Sequence, residues 1–213
     1  MRAGRRPRGL LLDAMGTLMA LREPLGRTYA RVARGHDITV KPEALERVFR
    51  SVYRQAPPLA FPGLSGAALV AAEVSWWGDR INATLAGAGG PAAPPEMVSE
   101  LFALYGEPGL WRVYEDVPAV LERWHRRGLA LAVVSNFDSR LPGLLEGLGL
   151  SRWLRLVVVS SAAGAAKPSP VPFHLALEGL GLGPEQVWHV GDSPEDHQGA
   201  AAAGLRCLLV RRP

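Results

Sequence analysis

Short, nearly continuous apolar runs recur along the chain, and each is separated from the next by a segment with helical periodicity. A run without polar alternation is typical of a strand that is buried on both faces, as in a parallel sheet. Five such runs between helical segments predict an α/β protein with a doubly wound, Rossmann-like parallel sheet. The runs are Leu10 to Leu12, Leu129 to Val134, Leu154 to Val159, Val187 to Val190 and Cys207 to Val210.

A long helical region lies between the first run and the second. No strand pattern interrupts it, which indicates a small helical bundle inserted after the first strand. We therefore predict a core formed by residues 1–17 and 110–213 and an inserted helical domain over residues 18–109. Pro and Gly residues divide this region into four predicted helices, Pro24 to Arg34, Pro42 to Gln55, Ala67 to Ala86 and Glu96 to Tyr105.

The composition is that of a soluble globular protein. The chain has 213 residues, of which 48% are hydrophobic and 21% charged, and no apolar stretch approaches the roughly 20 residues that span a membrane. The basic segment Met1–Arg8 resembles a secretory leader only at its start, because Asp13 interrupts the apolar run behind it. The single cysteine, Cys207, lies in an apolar run, which favours a core thiol in a reducing compartment. We predict a cytoplasmic protein without a membrane segment.

The charge pattern does not indicate nucleic-acid binding. The net charge is +4, but the body of the chain has no basic stripe with interleaved aromatic residues. Nearly all of the positive charge is arginine, since Lys41 and Lys167 are the only lysines. A lysine in such a chain is notable where chemistry requires a compact ammonium group.

A chemically coherent set of polar residues follows the first four predicted strands, at the edge of the sheet where ligands of open α/β proteins bind. Each residue alone has an ordinary explanation, such as a turn, a helix cap or a solvated charge. Four such coincidences at four strand ends are improbable together. The residues are Asp13 with Gly16 and Thr17 after the first strand, Ser135 and Asn136 after the second, Lys167 and Pro168 after the third, and Gly191, Asp192 and Asp196 after the fourth.

These residue types fit phosphoryl transfer. The carboxylates of Asp13 and Asp192 are oxygen ligands of the kind that Mg²⁺ prefers. The hydroxyl group of Ser135 and the amides around it suit a phosphate oxygen. The ammonium group of Lys167 would balance the carboxylates and stabilise the charge of an incoming phosphate.

The order of these motifs resembles that of the haloacid dehalogenase superfamily of hydrolases, and the inserted helices resemble its C1-type cap. The likeness covers nearly the whole chain. The stretch Arg22-Glu23-Pro24-Leu25-Gly26, the following Tyr29 and the pair Trp76-Trp77 resemble one branch of that superfamily more narrowly.

The resemblance implies a role for each matched residue. Asp13 would be the nucleophile that forms an aspartyl-phosphate, and Lys167 would orient it. The phosphoryl group would be bound by Ser135 and its neighbours Gly16, Thr17, Asn136 and Lys167. Mg²⁺ would be held by Asp13, the backbone carbonyl of Met15 and Asp192. Asp196 would fill the second acidic position of the last motif, with Glu195 as an alternative.

Met15 departs from the pattern. Phosphatases of this superfamily usually have a second aspartate at this position, which serves as general acid and base, and a thioether does neither. Three explanations follow: a phosphohydrolase whose leaving group needs no proton, a dehalogenase, or a non-catalytic relative that binds phosphate or a protein partner.

The last motif argues against the dehalogenase. In dehalogenases the corresponding motif resembles Ser-x-Asn, whereas this chain has Gly191-Asp192-Ser193. A metal-binding carboxylate has little use in carbon–halogen displacement. We therefore expect a Mg²⁺-dependent phosphohydrolase, monomeric or homodimeric, that acts on a small phosphorylated metabolite and not on nucleic acid. Nothing in the inserted domain identifies that metabolite.

Overall fold

The structure is a computed structural model, and it describes residues 6–212. The basic segment predicted at the amino terminus therefore lies largely outside the described residues. By internal contacts the chain divides into two compact units. One contains residues 1–20, 59–64 and 112–213, and the other contains residues 21–58 and 65–111.

The first unit is built around a parallel sheet of five strands. Its strands are β1 (Gly9–Leu12), β4 (Ala130–Ser135), β5 (Leu156–Val159), β6 (Val187–Gly191) and β7 (Arg206–Leu209), in the spatial order β5-β4-β1-β6-β7. All four pairings are parallel. The predicted α/β class and all five predicted strands are thus confirmed.

Helices connect these strands and cover the sheet. They are α5 (Val117–Arg126), α6 (Leu141–Gly147), the short α7 (Ser160–Ala163), α8 (Val171–Leu180) and α9 (Pro194–Ala202). Leu11, Val134 and Phe173 are buried in one core cluster between the sheet and helices α8 and α9, where each contributes about 1.5–3 kcal/mol by leaving water.

The second unit contains the four inserted helices. They are α1 (Leu25–Gly35), α2 (Pro42–Arg54), α3 (Gly66–Gly87) and α4 (Pro95–Leu104), so each predicted helix is confirmed to within one residue at either end. Pro24 precedes α1 and offers no capping side chain, and the Glu46 carboxylate accepts the Gly26 N–H instead, at 2.9 Å. The core of this unit includes the buried side chains of Tyr29, Leu45 and Met97.

Two strands of three residues each were not predicted. They are β2 (Met19–Leu21) and β3 (Trp111–Val113), which form a separate two-stranded sheet where the chain passes from one unit to the other. A run of three residues is too short for its period to distinguish a strand from a loop. Within residues 6–212, no helix combines the length and apolarity needed to cross a bilayer.

Candidate active site

The register of the sheet brings the predicted site residues to one edge. Leu12 at the end of β1 is paired with Val133 of β4 on one side and with Val190 of β6 on the other. Asp13 follows directly, and its backbone N–H donates to the Val190 carbonyl at 2.9 Å. The Asp13 side chain is therefore fixed at the carboxyl edge, where only 6% of the residue is exposed.

Lys167 lies at the centre of the cluster. Its Nζ is 2.6 Å from Asp13 Oδ1, 2.6 Å from Asp196 Oδ1 and 3.1 Å from the Val134 carbonyl. Burial alone would lower the pKa of this ammonium group, but the charges of Asp13 and Asp196 outweigh burial and raise the pKa above its usual value. Lys167 therefore stays charged and linked to both carboxylates.

Ser135 and Asn136 follow strand β4, and they have different partners. The Ser135 hydroxyl donates to Asp13 Oδ1 at 3.0 Å. The Asn136 side chain instead holds the backbone of Lys167: its Nδ2 donates to the Lys167 carbonyl at 3.0 Å, and its Oδ1 accepts the Lys167 N–H at 2.7 Å. Asn136 thus fixes the position of the lysine through the backbone.

Asp196 is saturated with hydrogen-bond donors. Oδ1 accepts from Lys167 and from His189 Nε2, the latter at 2.8 Å. Oδ2 accepts from the Asp192 N–H at 3.2 Å and from the Ser193 N–H and hydroxyl at 3.1 and 2.7 Å. Burial would raise the pKa of Asp196, but the bonds from His189 and Lys167 prevail and lower it. Asp196, and not the exposed Glu195, occupies the inner acidic position.

Asp192 lies at the open side of the cluster. The Thr17 hydroxyl donates to its Oδ1 at 3.2 Å. Burial, followed by the negative charges of Asp13 and Asp196, raises the pKa of Asp192 to about 6. Gly16 makes room for this carboxylate: its φ is +84°, and a Cβ there would lie 2.2 Å from Asp192 Oδ2. A side chain at position 16 is therefore incompatible with this placement.

The cluster fits a divalent cation. Asp13, Asp192 and Asp196 each offer an oxygen within 4.8 Å of the others. A carboxylate has about four lone-pair sites, and the five donors on Asp196 occupy them. Asp13 and Asp192 are therefore the carboxylates that could hold Mg²⁺, and three carboxylates against one ammonium leave a net charge of −2 to attract it.

Met15 lies two residues after Asp13, in the turn that follows β1. The residue is 49% exposed, the second-largest exposed fraction among the large hydrophobic residues described. Its side chain is not a core element, so packing does not explain the methionine. The Met15 residue is thus accessible and carries no titratable group.

Two residues of this region were not predicted from the sequence. His189 lies within the apolar run of β6 and contacts Asp196, and an isolated histidine in a buried strand is the signal that could have identified it. Arg212 donates from Nε and Nη2 to the Thr17 carbonyl at 3.1 and 2.7 Å. In the sequence, Arg211 and Arg212 follow the last predicted strand without any pattern that indicates this contact.

The fold and the motifs at its carboxyl edge define a hydrolase of the haloacid dehalogenase type. Over residues 7–204 the chain matches the family described as haloacid dehalogenase-like hydrolase, and it belongs to that family. It is 40% identical over 207 residues to the human haloacid dehalogenase-like hydrolase domain-containing protein 3. The matched residues cover 96% of this chain and 82% of the relative. The narrower resemblance predicted from Arg22 to Gly26 and Trp76-Trp77 was to this branch, and it is confirmed.

Other similar proteins match a shorter part of the chain or match it at lower identity. The chain is 39% identical over 124 residues to phosphoserine phosphatase of Thermus thermophilus, covering 55% of this chain and 49% of that one. Among solved structures, CbbY from Rhodobacter sphaeroides in complex with phosphate superposes with a TM-score of 0.67 at 20% identity over 97% of this chain and 87% of that one. L-2-haloacid dehalogenase from Xanthobacter autotrophicus superposes with a TM-score of 0.69 at 20% identity, over 96% of this chain and 77% of that one. These structures share the fold, which alone does not select a chemistry.

Proposed function

We propose that this protein is a Mg²⁺-dependent phosphohydrolase in which Asp13 attacks phosphorus. The observation that carries the proposal is the environment of Asp13, a buried carboxylate whose Oδ1 accepts from both Lys167 and Ser135. Because both donors use Oδ1, we assign Oδ2 as the attacking oxygen. The family relationship and the phosphatases among the relatives support a phosphohydrolase.

The reaction we propose has two displacements at phosphorus. In the first, Asp13 forms a bond to phosphorus while the bond from phosphorus to the leaving oxygen breaks, which gives an aspartyl-phosphate. In the second, water attacks the same phosphorus and releases phosphate and free Asp13. Lys167 neutralises charge on Asp13 and on the transferred group, while the Ser135 hydroxyl orients its oxygens.

Mg²⁺ would be held by the carboxylates of Asp13 and Asp192 and by the Met15 carbonyl. When bound, it supplies positive charge to the phosphoryl oxygens. Thr17 and Gly16 serve the metal ligand: the Thr17 hydroxyl is hydrogen-bonded to Asp192, and the missing Cβ of Gly16 leaves space for it. Asn136 acts through the backbone of Lys167 rather than by contact with the substrate.

Met15 limits the substrates that this site should hydrolyse. Without a general acid the departing oxygen leaves unprotonated, so the rate should depend steeply on its basicity. Acid catalysis is typically worth about 10²–10⁴-fold. We therefore expect aryl and acyl phosphates to be hydrolysed well before alkyl phosphates such as sugar phosphates.

A series of phosphate esters with leaving groups of graded pKa tests this proposal. With Mg²⁺ present, kcat/KM should fall steeply as the leaving-group pKa rises, and Asp13→Asn should abolish turnover throughout the series. Turnover that is equal in wild type and Asp13→Asn would contradict the proposal and indicate a contaminating phosphatase.

The alternative is a non-catalytic member of the family that binds a phosphorylated ligand or a protein partner. Met15 is the observation that favours it, because the residue that usually transfers protons is missing. Binding of a phosphate mimic without any turnover would support this alternative.

In the proposed function, the inserted helices would act as a cap that selects a small phosphorylated metabolite. The cytoplasmic location and the monomeric or homodimeric state stay predictions.

A further inference from the structure

His189 is a buried polar residue that the proposed reaction does not use. It lies in the middle of β6, and the residue is 0% exposed. Its Nε2 is 2.8 Å from Asp196 Oδ1, and its ring packs edge-on against Phe173, with centroids 5.0 Å apart. A histidine enclosed in this way cannot reach a substrate, so any function must act through Asp196.

The direction of this hydrogen bond follows from the partners. Asp196 is a carboxylate with a lowered pKa, so it accepts, and His189 Nε2–H donates. Nδ1 is buried without a hydrogen-bond partner among the described residues. A ring with a proton on Nε2 can leave Nδ1 without an N–H, which fits the lack of an acceptor beside Nδ1.

The two oxygens of Asp196 are held by different parts of the protein. Oδ2 is fixed by the turn after β6, through the backbone N–H groups of Asp192 and Ser193 and the Ser193 hydroxyl. Oδ1 accepts only two described donors, Lys167 and His189. His189 thus shares Oδ1 with the ammonium group of Lys167.

The ammonium group of Lys167 divides its attraction between two carboxylates, at 2.6 Å from Asp13 and 2.6 Å from Asp196. A donor that partly satisfies Asp196 Oδ1 weakens the pull of Asp196 on Lys167. If that donor were removed, Oδ1 would depend on Lys167 alone, and the ammonium group would shift toward Asp196 and away from Asp13.

We propose that His189 is a positioning residue that sets the balance of Lys167 between Asp13 and Asp196. It does so by donating to Asp196 Oδ1 from the rigid centre of the sheet. The effect on turnover rests on the proposed function, whereas the effect on the position of Lys167 does not.

Two variants separate positioning from packing. His189→Leu keeps a side chain of similar volume but removes the donor, and His189→Gln replaces the ring with an amide N–H that can reach the same oxygen. Both replace the ring that packs on Phe173, so a loss of packing lowers the unfolding midpoint in both. Only His189→Gln retains the donor to Asp196.

The direct readout is the environment of Lys167, and the composition of the chain makes it accessible. Only Lys41 and Lys167 are lysines, so protein labelled with ¹³C and ¹⁵N at lysine gives two Cε and Nζ signals in NMR spectra. Lys41→Arg assigns them, and the exposed Lys41 is an internal control. We expect His189→Leu to shift the Lys167 signals and to leave those of Lys41 in place. His189→Gln should return the Lys167 signals toward their wild-type positions.

Kinetics on p-nitrophenyl phosphate supply the second readout. We expect kcat to fall about 10–100-fold in His189→Leu, as for residues that orient a reacting group, with KM little changed and most of kcat recovered in His189→Gln. Lys167 signals that are unchanged in His189→Leu would overturn the proposal, as would a His189→Gln variant no more active than His189→Leu. If wild type shows no turnover, the proposed function fails and the NMR comparison still decides the role of His189.

Discussion

At the scale of single residues, the site is a set of charges whose positions are fixed by hydrogen bonds. Asp13 and Asp196 share the ammonium group of Lys167, while Asp192 lies at the exposed side and accepts a hydrogen bond from Thr17. Burial and the negative charges of Asp13 and Asp196 raise the pKa of Asp192, whereas the hydrogen bonds from His189 and Lys167 lower the pKa of Asp196. That difference separates a candidate metal ligand from a carboxylate whose role is to hold its neighbours.

The raised pKa of Asp192 predicts a pH-dependent affinity for Mg²⁺. Mg²⁺ binds the ionised carboxylate, and with a pKa of about 6 most of Asp192 is protonated at pH 5 and most is ionised at pH 7. Apparent affinity measured by calorimetry should fall roughly tenfold from pH 7 to pH 5. Asp192→Asn should bind weakly at both pH values. An affinity that rises as the pH falls would contradict this assignment.

The exposed Met15 predicts a gain of function. Because the side chain is 49% exposed, Met15→Asp introduces a carboxylic acid without disturbing the core. Its activity on alkyl phosphates should rise at least about tenfold, with a smaller gain on p-nitrophenyl phosphate, whose leaving group needs less assistance. Met15→Asn has the same shape without the acid and should give no gain. Equal effects of the two variants would exclude a missing general acid as the reason for selectivity.

At the scale of elements, most of the secondary structure follows from local patterns. The five strands of the parallel sheet and the four inserted helices were predictable because their apolar periods are set by neighbouring residues. The hydrogen-bond partners of His189, Asn136 and Arg212 were not predictable, because each of these contacts depends on which strand ends lie side by side. The sequence placed Asn136 beside a phosphate site, for example, but did not indicate that its amide holds the backbone of Lys167.

The residues after β7 and the turn after β1 are joined by Arg212. Its guanidinium group binds the Thr17 carbonyl through two N–H groups, donates to Asp116 Oδ1 at 2.7 Å, and lies 4.4 Å from the Tyr114 ring centroid. These contacts fix the turn whose Thr17 hydroxyl is bonded to Asp192. Arg212 therefore links the end of the described chain to the candidate metal ligand.

Loss of Arg212 should destabilise the protein and weaken metal binding. We expect Arg212→Ala to lower the free energy of unfolding by about 1.5–3 kcal/mol, the range for hydrogen bonds from a charged group, and to weaken Mg²⁺ binding several-fold. Urea unfolding and calorimetry measure the two effects. The neighbouring Arg211→Ala is the matched control, since Arg211 is exposed. If both variants behave alike, Arg212 does not support the site.

At the scale of the whole molecule, the division into two units does not follow sequence order. The loop Leu59–Leu64 lies between α2 and α3 in the chain, yet it belongs to the unit that contains the sheet. There, the Phe61 N–H donates to the Ser161 carbonyl at 3.0 Å, and the Ser160 hydroxyl donates to the Leu59 carbonyl at 2.7 Å. No local pattern predicts such contacts, because about 100 residues separate the partners along the chain.

The fold is shared with proteins that differ in chemistry. CbbY in complex with phosphate and L-2-haloacid dehalogenase both superpose on this chain with similar TM-scores. The chemistry must therefore be inferred from the residues at the strand ends. Asp13, Lys167 and Asp192 meet at one edge of the sheet, which is what phosphoryl transfer through an aspartate requires. The proposed reaction therefore requires that Asp13 becomes phosphorylated.

Chemical trapping of the phosphorylated aspartate tests that claim most directly. The protein is incubated with acetyl phosphate and Mg²⁺ and then treated with borohydride, which reduces an aspartyl-phosphate to homoserine, and peptides are analysed by mass spectrometry. We expect homoserine at position 13, dependent on Mg²⁺ and acetyl phosphate and prevented by Asp13→Asn. Turnover of acetyl phosphate by the same protein, without homoserine at position 13, would contradict it.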